Sequence, residues 1–218
     1  MSEYKLIVFD WDGTLMNSLS RIAACMQAAA RDIGIEPASG QQVQDIVGLA
    51  LDLAILRLHP VLDGAQVQLM RERYSHHYVA AESTPSPFYE GIPNMLGSLS
   101  ERGVLMSVAT GKSRKGLSRV FNAHGVGALF HSSRCADETR SKPEPHMLLE
   151  ILDFHGLQPH EAVMVGDTEF DLEMASRAGV DSVGVTWGAH DIKRLQRHNP
   201  KVCVGSVDDL STWLHQAV

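Results

Sequence analysis

What this chain has little of narrows it first. It has only three cysteines, Cys25, Cys135 and Cys203, set far apart with no Cys-x-x-Cys pair. That excludes a disulfide framework and a thiolate zinc site, and predicts reduced, buried thiols in a cytoplasmic protein. Lysine and arginine form no run and the formal net charge is −7. A nucleic-acid partner therefore has no electrostatic footing, and a small anionic ligand would need local cations of its own. No apolar stretch approaches the length of a bilayer crossing, and Met1-Ser2-Glu3-Tyr4 is not a basic segment leading into an apolar one, so neither membrane nor leader is expected. Repeats and low-complexity tracts are absent too. What is there is a chain of 218 residues, 44% hydrophobic and 21% charged, enough for a packed core and one accessory domain.

The apolar run Leu6-Ile7-Val8-Phe9 is too short for a helix and reads as a buried strand. From Leu96 onward, strand-like runs alternate with helical stretches. Strands are expected at 105–109, 131–135, 162–165, 182–185 and 202–204, and helices at 114–124, 145–155 and 170–178, with a last helix capped by Ser206-Val207-Asp208-Asp209. Pro145 suits a first helical turn, and Gly179 ends the helix before it. Such alternation argues for an α/β fold, a Rossmann-like parallel sheet with helices on both faces. Residues 17–85 differ. Ile22, Cys25, Met26, Ala29 and Ile33, then Leu51, Ala54, Ile55 and Leu58, recur at helical spacing, with no strand before the stiff Pro85-Ser86-Pro87 break. An all-helical domain of residues 17–85 is thus expected inside a core made of 1–16 and 86–218.

Four polar pieces fall at the carboxyl ends of expected strands, where open α/β sheets form their ligand crevices. The first is Asp10-Trp11-Asp12-Gly13-Thr14, after Phe9. The second is Thr110-Gly111-Lys112, the third Lys142 in Ser141-Lys142-Pro143, and the fourth Gly166-Asp167-Thr168-Glu169-Phe170-Asp171. Two acids one residue apart at a strand end repel each other unless a cation or a shared proton offsets the cost. Read alone, Asp-x-Asp-Gly is also an ordinary polar turn.

The four pieces in this order resemble the haloacid dehalogenase superfamily, specifically its phosphatases with a helical cap inserted after the first motif. The return segment Phe88-Tyr89-Glu90-Gly91-Ile92 is similar to that of the phosphoglycolate phosphatase group. The resemblance covers nearly the whole chain. It implies a phosphoric monoester hydrolase acting on a small phosphorylated metabolite, with 2-phosphoglycolate as the leading substrate, through an aspartyl phosphate on Asp10. It also implies Mg²⁺ held by Asp10, Asp167 and the backbone carbonyl of Asp12. Asp12 would be the proton donor and acceptor. Thr110 and the Gly111 amide would bind phosphoryl oxygens, and Lys142 would supply fixed positive charge. Asp171 would act one step removed from the ion, directly on a ligand or through water; both late acids could otherwise be helix N-terminal acids. Lys142 could be a surface lysine in a proline-bracketed turn. Lys112 faces either substrate or solvent.

Other features read as structural. His76-His77 are adjacent on a helix and point about 100° apart, which suits no common metal. Trp11 alternates away from the two acids and should face the core. Trp187 either walls the site or packs. A phosphosugar mutase of the same fold is one rival, but its relatives carry a histidine early in the cap, where residues 16–26 here have Arg21 and none. The other rival is a non-catalytic binding protein that kept the fold. Oligomeric state is not readable from these residues.

Overall fold

The computed structural model describes residues 4–218, so the opening Met1-Ser2-Glu3 lies outside the described residues. Strand β1 (Leu6–Phe9) is followed by four helices, α1 (Leu19–Asp32), α2 (Gly40–Gln44), α3 (Leu51–Leu58) and α4 (Gly64–Ala81). The chain then alternates through α5 (Ile92–Glu101), β2 (Leu105–Thr110), α6 (Arg114–His124), β3 (Ser132–Cys135), α7 (His146–His155), β4 (Ala162–Gly166) and α8 (Glu169–Ala178). It ends with β5 (Asp181–Val185), α9 (Ile192–Gln196), β6 (Val202–Val204) and α10 (Val207–Ala217).

The strands form one sheet in the order β3-β2-β1-β4-β5-β6, and every neighbouring pair is parallel. β1 therefore lies between β2 and β4, where the strand order reverses and the crevice opens. Side-chain alternation divides the core between the two faces. Ile7 and Phe9 pack with Val108, Val163 and Val183 against α5, α6 and α10. Leu6 and Val8 pack with Met164, Ile151 and Met174 under α7 and α8. Because both faces are covered, the central strands are continuously apolar, as the run 6–9 indicated.

The helices after β1 keep a core of their own, with Met26, Ala29, Val43, Ile55, Val67 and Met70 at its centre. Phe170 of α8 is built into that cluster, with the Arg57 guanidinium 5.1 Å from its ring centroid. The chain leaves and rejoins the sheet layer as two adjacent segments: Asn17 N–H donates to Pro87 O at 2.9 Å and Tyr89 N–H to Leu15 O at 3.0 Å. Among the described residues no helix is long and apolar enough to cross a membrane.

Local signals set most element ends. Gly179 caps α8 in the left-handed conformation, and the Ser206 side chain accepts from Asp209 N–H at the start of α10. Pro145 stands just outside α7 as its N-cap rather than within its first turn, and Thr110 extends β2 by one residue.

Candidate active site

Asp10 follows β1 directly and Asp167 follows β4 directly; because those strands are neighbours in register, the two acids emerge side by side. Among the described residues, carboxylate oxygens of Asp10, Asp167 and Asp171 lie within 4.8 Å of one another, and all three side chains are buried. Lys142, brought from the segment after β3, is wholly buried among them. Its Nζ donates to Asp10 Oδ1 at 2.5 Å and lies 2.6 Å from Asp171 Oδ1. The surface-lysine reading of Lys142 is thereby removed.

Asp171 does double duty. Its Oδ2 accepts from the Thr168 hydroxyl at 2.7 Å and the Thr168 amide at 3.1 Å, closing the N-terminus of α8, while Oδ1 faces Lys142. Asp171 thus caps its helix with one oxygen and faces the Lys142 ammonium with the other. Asp167 is held from two sides, by the Thr14 hydroxyl on Oδ1 and the Ala189 amide on Oδ2, each at 2.7 Å. Thr14 is braced in turn, its carbonyl accepting from Trp187 Nε1 at 3.1 Å. Gly13, between Asp12 and Thr14, has φ of 88°, and a Cβ there would sit 2.2 Å from Asp167 Oδ2. The turn needs glycine for both its dihedral and its contact.

Burial dominates the electrostatics here. It pushes the Asp10 carboxyl well above its ordinary value, opposed by Lys142 and reinforced by Asp171 and Asp167. Asp167 is pushed up to about 7, by burial first and then by Asp171. Lys142 is held charged because Asp10 and Asp171 outweigh the cost of its burial. One ammonium faces three carboxylates, and Asp10 Oδ2 is buried with no hydrogen-bond partner. These are hard carboxylate oxygens gathered around one ammonium, the ligand chemistry that Mg²⁺ takes.

The Asp12 side chain turns away from this cluster. Its Oδ1 accepts from the Ser18 hydroxyl at 2.6 Å and its Oδ2 lies 3.0 Å from Lys112 Nζ. The third carboxylate grouped with Asp10 and Asp167 is that of Asp171, not Asp12. Thr110 is buried at the end of β2, and its hydroxyl oxygen accepts from Lys112 N–H at 3.2 Å. Gly111 lies where the helical layer meets the sheet: a Cβ there would stand 2.6 Å from Leu49 O and 2.7 Å from Gly48 O. Trp11 turns into the core, with ring centroids 5.2 to 5.9 Å from Phe88, Phe121 and Phe130. His77 pairs with Asp32 at 2.7 Å, away from the acids.

Asp10, Asp12, Thr110, Gly111 and Lys112 open into a cavity of about 450 Å³, roofed by α1, α3 and α4 through residues such as Met26, Ala54 and Tyr78. Thr14, Ser18 and Tyr78 were missed by sequence reasoning. Thr14 and Ser18 were within its reach, since both sit beside the first motif with hydroxyls that such acids need. Tyr78 carried no signal, because its place depends on how α4 folds back.

Residues 7–185 match the haloacid dehalogenase-like hydrolase family. The chain is similar to a phosphoglycolate phosphatase of Vibrio vulnificus, 30% identical over an alignment of 216 positions that covers 95% of each chain. Among solved structures it resembles a predicted phosphoglycolate phosphatase from Haemophilus somnus, with a TM-score of 0.87, 26% identity, and 98% of this chain and 99% of that one covered. It also shares its fold with a predicted phosphatase from Clostridium acetobutylicum, at a TM-score of 0.89 and 22% identity over 99% of this chain and 100% of that one.

Proposed function

This chain belongs to the haloacid dehalogenase-like hydrolase family, and from that premise we propose that it is a Mg²⁺-dependent phosphatase of a small phosphomonoester, working through an aspartyl phosphate. The observation that carries this reading is the convergence of Asp10, Asp167, Asp171 and Lys142 beside the floor of the cavity. The names of its relatives make 2-phosphoglycolate the first substrate to assay. Residues 17–85 serve as the cap and residues 1–16 with 86–218 as the catalytic core.

Asp10, Asp167 and the Asp12 carbonyl would hold the ion, with Asp171 adjoining. When bound, the ion supplies positive charge that lets these acids stay ionised together and neutralises phosphoryl oxygens. An Asp10 oxygen attacks phosphorus while the ester P–O bond breaks, and the leaving oxygen takes a proton from Asp12. Lys142, with Asp10 and Asp171 as partners, has a third N–H to offer a phosphoryl oxygen; the Thr110 hydroxyl and Gly111 amide add two more donors. Water then attacks the aspartyl phosphate, gives its proton to Asp12 and frees inorganic phosphate from Asp10. Closure of the helical layer over the cavity would keep bulk water out until the alcohol has left.

Purified protein with Mg²⁺ should release inorganic phosphate from 2-phosphoglycolate and from an aryl phosphate, and lose that activity in chelator. No release from a broad metabolite panel would favour a non-catalytic binding protein, and isomer without phosphate would favour a mutase.

The acids also predict a linkage. Asp167, at about 7, and Asp10 keep protons in the folded chain that unfolded carboxyls, near 3.8, release. The folded state binds more protons across that window, so metal-free stability falls as pH rises through it. The ion favours the ionised set, so the Tm gain from Mg²⁺ should be larger near pH 8 than near pH 5.5. Equal gains at both would remove these acids as ligands.

A further inference from the structure

Lys112 is unlike the other cations around the cavity. Arg71 and Arg119 also line it, but they are paired with Asp52 and Glu82 and their side chains are 46% and 33% exposed. The Lys112 side chain is only 10% exposed. Its Nζ lies 3.0 Å from Asp12 Oδ2, donates to the Tyr78 hydroxyl at 3.1 Å, and sits 4.7 Å from the centre of the Tyr78 ring. An ammonium has three N–H donors. Two are engaged by Asp12 and Tyr78; among the described residues no acceptor takes the third, and Lys112 lines the cavity. A ligand in the cavity can therefore supply the acceptor for the third N–H.

Its location says which ligand. Under the function proposed above, on which this inference rests, Asp12 meets the ester oxygen that leaves phosphorus. An acceptor on the carbon next to that oxygen therefore lies beside Asp12, and Lys112 Nζ is within 3.0 Å of Asp12 itself. We propose that Lys112 is the receptor for a carboxylate on the carbon adjacent to the phosphate ester, and that Tyr78 is the positioning residue that sets it there. The substrate class is then the 2-phosphoryloxy carboxylates. A lysine suits this task as a compact point charge on a flexible stem, held here by a hydroxyl and an aromatic face. Because Tyr78 belongs to α4 and Lys112 follows β2, the receptor is complete only with the helical layer over the sheet.

The test compares kcat/KM for 2-phosphoglycolate with that for 2-hydroxyethyl phosphate, which replaces the carboxylate with a neutral alcohol, both with Mg²⁺. The native enzyme should prefer the acid by on the order of a hundredfold, as sites with a dedicated polar receptor reject analogues lacking its partner. In Lys112→Met that ratio should fall toward one, chiefly through KM for the acid, while Lys112→Arg retains part of it. Tyr78→Phe keeps the ring and the packing, and should lower the ratio several-fold even where the lysine variant does not fold. Equal losses on both substrates in the variants, or a native ratio near one, would overturn the receptor while leaving the phosphatase intact. Absence of turnover on both substrates and on an aryl phosphate would sink the function and the receptor together.

Discussion

Asp10→Asn should reduce phosphate release from an aryl phosphate in Mg²⁺ by on the order of 10⁴-fold or more, the scale on which removal of a covalent nucleophile acts. The amide is nearly isosteric with the carboxylate, so Lys142 can still donate to its oxygen. Asn also lacks the charge that burial opposes at this position, where the carboxyl of Asp10 is pushed well above its ordinary value. Thermal stability in metal-free buffer should therefore hold or rise while turnover disappears. That opposite movement separates a lost nucleophile from a damaged fold. Acid-quenched protein should carry a phosphoryl adduct in the native chain and none in the variant. Retained turnover in a well-folded Asp10→Asn protein would defeat the nucleophile assignment outright.

Lys142→Met should act on stability as well as on rate. The native ammonium is fully buried, 2.5 Å from Asp10 and 2.6 Å from Asp171. Methionine fills similar volume but leaves three mutually close carboxylates with no internal cation. Breaking a buried ion pair by removing one partner costs about 3–5 kcal/mol. For a chain of this size that corresponds to a fall in Tm of roughly 6–20 °C. Two additions should recover part of the loss, Mg²⁺ by supplying charge and mild acid by protonating the carboxyls. Catalysis should fall by about 10²–10³, the usual effect of removing a donor aimed at developing charge. A surface lysine would show none of this, and an unchanged melting curve would sink the ion network as described.

Both variants probe the same arrangement from opposite sides. Asp10→Asn removes one acid from an acid-rich cluster, and Lys142→Met removes the ammonium buried in it. The first should be benign for folding and the second harmful, although both impair turnover. That asymmetry follows from the excess of carboxylate over cation and from nothing particular to either side chain.

Much of this arrangement is legible in the sequence. Leu6–Phe9 reads as a strand because four consecutive apolar residues are enough to cross a buried sheet and too few for a helix. Ser206, Gly179 and the Arg114–His124 stretch announce helix ends and faces through local hydrogen-bonding chemistry. Asp10, Thr110 and Asp167 were likewise readable, since each stands at the end of a strand and a parallel sheet aligns such ends. The side chains that hold them were harder to see. Thr14 and Ser18 lay in plain view beside the first motif, but hydroxyls are common in turns and their partners cannot be ranked from spacing.

Local sequence suffices for the strand pattern, the helical character of residues 17–85 and the identity of the acids at the strand ends, because each depends on neighbours within one turn or one strand. Tertiary structure alone decided that Lys142 is buried rather than solvated, that Asp171 serves both its helix and that lysine, and that Lys112 lies between Asp12 and Tyr78. Those contacts join residues 132 apart for Lys142 and Asp10 and 34 apart for Lys112 and Tyr78. At such separations no local periodicity carries information. Only the placement of α4 over the segment after β2, and of β1 between β2 and β4, brings the charges close enough to interact.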